Sequence, residues 1–297
     1  MKALVTGGMG FLGKHIIAEL ARQNIETISY DLIENNCTDP QHVHHIIGDI
    51  LDKEKLVSVM NGCDIVFHTA AVADINIVRD IPEQTMEVNV LGTTTCLQAA
   101  RESGVKRFVF ASSVYASGRH GSFYGISKKT GEALCKAYHD EFGLEYMVLR
   151  YGSLYGTESN HWNFIYNLCK ELLLTGKYTY TSSPDAMREY INIIDAARES
   201  VKVAFDPDFR NKIVMITGHQ RMKISELFTM IEEILGRPIE ITYTPEKETT
   251  HYVMTPYSFE RETPVRINFS HYVDISEGIL NCFEKAKIDI EREKESY

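Results

Sequence analysis

The chain has 297 residues, 44% hydrophobic and 24% charged, with a formal net charge of −10. This composition suits a soluble globular protein with two lobes or one large domain. It provides no basic field for nucleic acid or for an anionic membrane surface, and no apolar run is long enough to span a bilayer. An anionic ligand would therefore be held by local cations and helix ends. Met1 runs straight into the first strand, so no signal peptide is expected. The six cysteines (Cys37, Cys63, Cys96, Cys135, Cys169, Cys282) form no C-x-x-C pair. Free thiols and a cytoplasmic location are the expectation.

The first half alternates strand and helix patterns. Strands are predicted at 3–5, 25–30, 43–47, 64–68, 107–111 and 144–150. Helices are predicted at 11–21, 53–60, 83–102 and 122–142, the last two closed by Gly104 and Gly143. The order implies βαβ units, a parallel sheet and right-handed crossovers. The second half is less regular. It predicts a helix at 161–174, a strand at 189–193, a helix N-capped by Asp195 and running to 204, a helix at 224–235 and a strand at 239–242. A charged, fraying helix is predicted at 284–297. The fold class is a doubly wound parallel α/β sheet, Rossmann-type, with a smaller C-terminal substrate-binding lobe. The expected division is 1–152, rejoined by about 189–205, against 153–188 and 206–297.

The first strand meets Gly7, Gly10 and Gly13 in the stretch Thr6-Gly7-Gly8-Met9-Gly10-Phe11-Leu12-Gly13. Gly7 allows the turn, Gly10 admits a pyrophosphate to the backbone, and Gly13 lets the helix pack on the strand. The phosphates would sit on the N–H groups at Phe11, Leu12 and Gly13. The next strand ends in Asp31, placed to hold an adenosine ribose. With no Arg or Lys in 31–36, a 2′-phosphate has no partner, so NAD is favoured over NADP. The competing reading is an ordinary glycine turn and a solvated turn aspartate.

Tyr124 and Lys128 stand at i and i+4 and share a helix face. The ammonium is expected to lower the phenol's pKa and make Tyr124 a usable base. Ser112-Ser113 ends the preceding strand, on the side where ligands bind in open α/β sheets. A surface Tyr and Lys on a solvated helix is the alternative.

Taken with His68-Thr69-Ala70-Ala71, Gly48-Asp49-Ile50, Asn89-Val90-Leu91-Gly92-Thr93, the run 149–156 and the run 188–197, these motifs carry a resemblance over nearly the whole length. The chain resembles the extended short-chain dehydrogenases/reductases of the nucleotide-sugar epimerase/dehydratase family. The resemblance implies that Asp49 and Ile50 flank adenine, that Ala70 and Ala71 line the pyrophosphate and ribose path, and that Asn89 supports the strand ends near the nicotinamide. It makes Tyr124 the acid/base, Lys128 the holder of the nicotinamide ribose and Ser113 the group that positions the sugar oxygen. Tyr151 would lie near the nicotinamide. Arg188 would pair with the diphosphate of a nucleotide-diphosphate sugar, and Ser153 would be a substrate contact where the family usually has Asn. A homodimer through the helices at 83–102 and 122–142 is also implied, with small and apolar residues at 93–100 and 132–138 as its surface; ordinary core packing would use some of the same residues.

The segment between Ser113 and Tyr124 is shorter than in many sugar-nucleotide members. Val114 and Tyr115 stand where a 4,6-dehydratase would place an Asp-Glu pair and a decarboxylase a Glu. The resulting expectation is an NAD-dependent epimerase working through a transient keto intermediate. A ketosugar reductase, a sugar-nucleotide dehydrogenase and a non-catalytic NAD-sensing regulator are the alternatives. His42, His44 and His45 form a histidine patch, read as a polar strand and not as a metal site.

Overall fold

The computed structural model describes residues 1–34, 41–75, 77–118, 121–157, 163–219, 221–244, 264–268 and 271–295. Strand β1 (Lys2–Thr6) leads into helix α1 (Phe11–Arg22), followed by β2 (Glu26–Asp31), β3 (Val43–Ile47), α2 (Lys53–Met60) and β4 (Ile65–His68). The helical run after β4 has three parts: α3 (Pro82–Met86), a wider π-type turn (Glu87–Leu91) and α4 (Gly92–Glu102). Then come β5 (Arg107–Ser113), a 3-10 turn (Val114–Ser117), α5 (Ser122–Phe142) and β6 (Glu145–Tyr151). The remaining elements are β7 (Ser153–Tyr155), α6 (Phe164–Thr175), β8 (Lys177–Tyr180), β9 (Met187–Asn192), α7 (Ile193–Phe205), β10 (Lys212–Ile216), β11 (Arg221–Lys223), α8 (Ile224–Leu235), β12 (Glu240–Tyr243), β13 (Val265–Arg266) and α9 (Ile275–Glu295).

The chain divides into two compact units. The first holds the described residues of 1–151, 197–216 and 256–268. Its sheet has the order β13-β10-β6-β5-β4-β1-β2-β3, with every neighbouring pair parallel. Strands β4 and β5 are buried along their whole length, as continuous apolar runs require in a sheet covered on both faces. The order reverses between β1 and β4, which opens a crevice beyond the carboxyl ends of those strands. Leu4, Ile28, Leu56, Val66, Leu97, Phe108, Phe110 and Val148 pack together in its core.

The second unit holds the described residues of 152–196, 217–255 and 269–297. It has a three-stranded sheet, β11-β9-β7, and a parallel pair of β12 with β8. Its own core gathers Ile165, Leu168, Leu172, Leu227, Phe228, Ile231, Ile279 and Phe283.

Several boundaries differ from expectation. Strand β9 joins β7 and β11 in the second unit, whereas β10 pairs with β6 and belongs to the first. The return to the first unit therefore runs from Ala197 to Ile216, not over 189–205. Helix α7 starts at Ile193, so Asp195 lies in its first turn and is not its cap. Asn192 Oδ1 accepts from Ile194 N at 3.0 Å instead, while Asp195 Oδ2 accepts from Val273 N at 2.6 Å. The last helix begins at Ile275, nine positions before 284, because Ile279, Cys282, Phe283 and Ala286 give its first half a buried face. Among the described residues no helix is long and apolar enough to cross a membrane.

Candidate active site

The glycine turn is built as its spacing demands. Gly7 adopts φ +68°, and a Cβ there would lie 2.6 Å from Ala70 N. A Cβ on Gly13 would lie 2.1 Å from Gly7 O, so only glycine lets α1 start this close to the turn. Gly10 is the N-cap of α1; no side chain caps the helix and its first turn, with Phe11, Leu12 and Gly13, carries no acidic residue. That helix end offers N–H groups and positive dipole to an anion.

Asp31 does more than its place in the motif suggests. Its Oδ2 accepts from Met9 N at 2.9 Å and its Oδ1 from Ile33 N at 3.0 Å. The carboxylate therefore holds the glycine turn in shape, and it keeps lone pairs for further donors. Positions 35 and 36 lie outside the described residues. Asp49 is exposed; its Oδ1 accepts from Leu51 N, and its carbonyl accepts from the Tyr30 hydroxyl at 2.9 Å. Ile50 is buried beside it. Ala70 and Ala71 are half-buried in the loop after β4.

Asn89 sits in the π-type turn and is 3% exposed. Its amide exchanges hydrogen bonds with Val72: Oδ1 accepts from Val72 N at 2.8 Å and Nδ2 donates to Val72 O at 2.9 Å. Nδ2 also donates to Ser127 Oγ at 3.0 Å. A second chain runs beneath. Thr93 Oγ1 donates to Asn89 O at 2.6 Å, and His68 Nε2 lies 3.0 Å from that hydroxyl. His68 Nδ1 lies 2.7 Å from Thr6 Oγ1. Because the Thr93 proton goes to a carbonyl, His68 must donate from Nε2 and accept at Nδ1. Burial drives the imidazole down to about 3, so it stays neutral in this role. Sequence reading missed Thr6, Thr93 and Ser127; a polar residue on an apolar pattern was the available signal.

Ser113, Tyr124 and Lys128 come together at the carboxyl end of β5. The Ser113 side chain hydrogen-bonds the Tyr124 phenol. Lys128 Nζ donates to Ala111 O at 2.7 Å and lies 5.6 Å from the centre of the Tyr124 ring. An ammonium has three donors, and Ala111 takes one. Lys128 is only 4% exposed, and burial lowers it to about 8. Tyr124 departs from expectation. Burial raises its phenol to about 12, and the hydrogen bond from Ser113 only partly opposes this. Desolvation dominates, so without ligand Tyr124 is a neutral phenol and a proton donor.

Tyr151 turns its hydroxyl inward. The residue is 4% exposed, and its hydroxyl lies 2.6 Å from Ser200 Oγ on α7. Burial raises its pKa well above the ordinary tyrosine range. Ser153 and Arg188 lie in the second unit. Ser153 is half-buried and aligned with Tyr190 across β7 and β9. Arg188 is 6% exposed, donates from Nη1 to Met187 O at 2.9 Å and hydrogen-bonds Tyr180. His42 and His44 are exposed, while His45 bonds Ser29 Oγ and Ile33 O. The described residues contain no group of three or more His, Cys, Asp or Glu able to hold a metal.

Residues 3–216 match the NAD dependent epimerase/dehydratase family. The chain belongs to that family. Over 297 aligned positions it is 27% identical to a putative UDP-glucose 4-epimerase of Methanocaldococcus jannaschii, covering 93% of this chain and 95% of that one. An uncharacterized UDP-glucose epimerase of Bacillus subtilis is 27% identical over 270 positions, covering 82% and 85% of the two chains. The fold is similar to that of the UDP-glucose 4-epimerase from Thermotoga maritima, solved with UDP-glucose. The TM-score is 0.82 at 23% identity, covering 98% of this chain and 100% of that one. The glycine turn, the uncapped helix end and Asp31 fit the family's NAD: a Cβ at Gly7 or Gly13 would collide with the backbone that shapes the turn.

Proposed function

We propose that this protein is an NAD-dependent epimerase acting on a nucleotide-activated sugar through a transient keto intermediate. The observation that carries the reading is the hydrogen-bonded Ser113–Tyr124 pair with the buried Lys128 ammonium one turn further along α5. When bound, NAD supplies the hydride acceptor and later the hydride donor. Gly7, Gly10, Phe11, Leu12 and Gly13 would hold its pyrophosphate, Asp31 its adenosine ribose and Lys128 its nicotinamide ribose. Asp49 and Ile50 would flank the adenine, with Ala70, Ala71, Asn89 and Tyr151 shaping the rest of the path.

Tyr124 takes the proton of the sugar hydroxyl as the carbonyl forms and gives it back on reduction. Ser113 orients that oxygen. A phenol held neutral by burial needs the Lys128 charge to ionise when substrate and cofactor close the site. Arg188 pairs with the substrate diphosphate, for which a guanidinium is shaped, and Ser153 is a further substrate contact. Val114 and Tyr115 bring no carboxylate to the step after Ser113, which disfavours dehydration and decarboxylation. A cytoplasmic homodimer joined through α3–α4 and α5 completes the proposal. Its apolar surface would be Leu91, Ile126 and Phe142, since Cys96, Leu97, Ala99, Ala100 and Cys135 are spent in the core. Incubating the protein with NAD and a panel of UDP-, GDP-, CDP- and dTDP-sugars tests the reading. An epimeric product should appear with one of them, without net NADH.

A further inference from the structure

Behind the catalytic face lies an ion pair that the proposed chemistry does not use. Glu132 on α5 is 9% exposed and Arg150 on β6 is 3% exposed. Arg150 grips the carboxylate with two donors: Nη2 to Oε2 at 2.7 Å and Nε to Oε1 at 2.8 Å. Oε1 also accepts from Ser112 Oγ at 2.5 Å. Arg150 Nη1 donates to Ser117 Oγ at 2.7 Å. One pair thus ties together the end of β5, the 3-10 turn after Ser113, helix α5 and strand β6. Ser112 stands directly opposite Arg150 in the sheet, and Ser113 opposite Tyr151. Glu132 follows Lys128 by four positions, so the two side chains share a helix face.

A buried ion pair is weak as a source of stability, because desolvation offsets its attraction. Its presence here is better explained by what it fixes. We propose that the Glu132–Arg150 pair is a positioning device for Tyr124 and Lys128. It locks β5, the turn behind Ser113 and α5 into one arrangement, and it keeps a fixed negative charge one helical turn from the Lys128 ammonium. The inference rests on the roles given above to Tyr124 and Lys128.

The surroundings of Lys128 support the electrostatic half. From β5 it meets the Ala111 carbonyl and, at 5.1 Å, the Phe110 ring. His68, from β4, is neutral; on α5 its neighbours are Tyr124 and Glu132. Glu132 is the anion that favours the charged lysine against desolvation. Arg150 holds that carboxylate in place.

The test uses the full-length protein, the single variant Glu132→Gln and the double variant Glu132→Met/Arg150→Met. Replacing a buried pair by apolar side chains of similar volume usually preserves the fold. NAD affinity is measured by calorimetry from pH 6.5 to 10, with Lys128→Met marking the alkaline loss that belongs to Lys128. The double variant should bind NAD within about threefold of wild type at pH 6.5. Its alkaline loss should move down by a fraction of a pH unit, because the opposing Arg150 charge leaves together with the nearer Glu132 charge. Turnover of the epimerised sugar nucleotide should fall at least tenfold with KM unchanged. Glu132→Gln, which removes the anion alone, should move the alkaline loss down further, by about one pH unit, with the same fall in turnover, and decides the question if the double variant does not fold. A double variant with the wild-type alkaline limb and wild-type turnover would show a packing role only and overturn the proposal. If wild type turns over no sugar nucleotide, the epimerase reading fails by itself, and the NAD limb still decides the role of the pair.

Discussion

Asn89 and Ser127 meet through a 3.0 Å hydrogen bond across 38 positions of sequence. Ser127 Oγ in turn donates to the Tyr124 carbonyl at 2.9 Å. The π-type turn therefore braces the first two turns of α5, where Tyr124 and Lys128 sit. Val72, held by the same amide, belongs to the loop beside Ala70 and Ala71. A single asparagine thus couples the expected cofactor loop to the helix that carries the proposed catalytic pair.

Replacing Asn89 by Ala should therefore act on both. It strands the half-buried Val72 N–H and C=O, at a cost of up to about 1–3 kcal/mol per unsatisfied group. Urea denaturation should show that loss, and NAD affinity should fall with it. Unchanged stability together with unchanged NAD binding would refute the coupling.

Asp31 is expected to select NAD. Asp31→Asn keeps an acceptor for Met9 N but removes the charge that repels a 2′-phosphate. The ratio of NAD to NADP affinity should drop at least tenfold. Equal affinities in the wild-type protein would contradict the assignment.

The pH dependence of stability follows from Lys128. Burial brings its folded value to about 8, against 10.5 in the unfolded chain. Between these values the unfolded state binds more protons, so this group makes stability rise with pH from about 8 towards 10.5. Below 8 the folded chain carries the buried charge at its full cost. Wild type should accordingly gain stability relative to Lys128→Met between pH 8 and 10, followed by urea denaturation. A constant difference across that range would show that the ammonium is not desolvated.

The proposed dimer makes a mutational prediction. Leu91, Ile126 and Phe142 are 53%, 55% and 50% exposed. Light scattering should give twice the chain mass at micromolar concentration, and Ile126→Glu should lower it to one. A monomeric wild type would remove the dimer from the account.

Much of the first unit was legible because its signals are local. The glycine spacing demands a left-handed Gly7 and a close Gly13, and the structure has both. Tyr124 and Lys128 share a face by helical period alone. What sequence missed depends on contacts between distant residues. Nothing in the run 148–152 says that Arg150 points inward to Glu132, or that the Tyr151 hydroxyl turns to Ser200. Spacing shows an ammonium near Tyr124 but not the burial that raises its phenol. Strand β10 was missed because Ile213 to Ile216 are only four apolar residues, identified as a strand by pairing with β6.

The central claim is that Tyr124 moves the proton in a closed redox cycle. The most direct measurement follows the sugar nucleotide selected from the panel by NMR in D2O, with wild type and Tyr124→Phe side by side. Wild type should interconvert two epimers, with no deuterium at the epimerised carbon and no accumulation of free NADH. Tyr124→Phe should keep its fold and NAD affinity while turnover falls roughly a hundredfold or more, as for loss of a positioned acid/base. Near-normal turnover in Tyr124→Phe, or stoichiometric release of an oxidised sugar by wild type, would contradict the account.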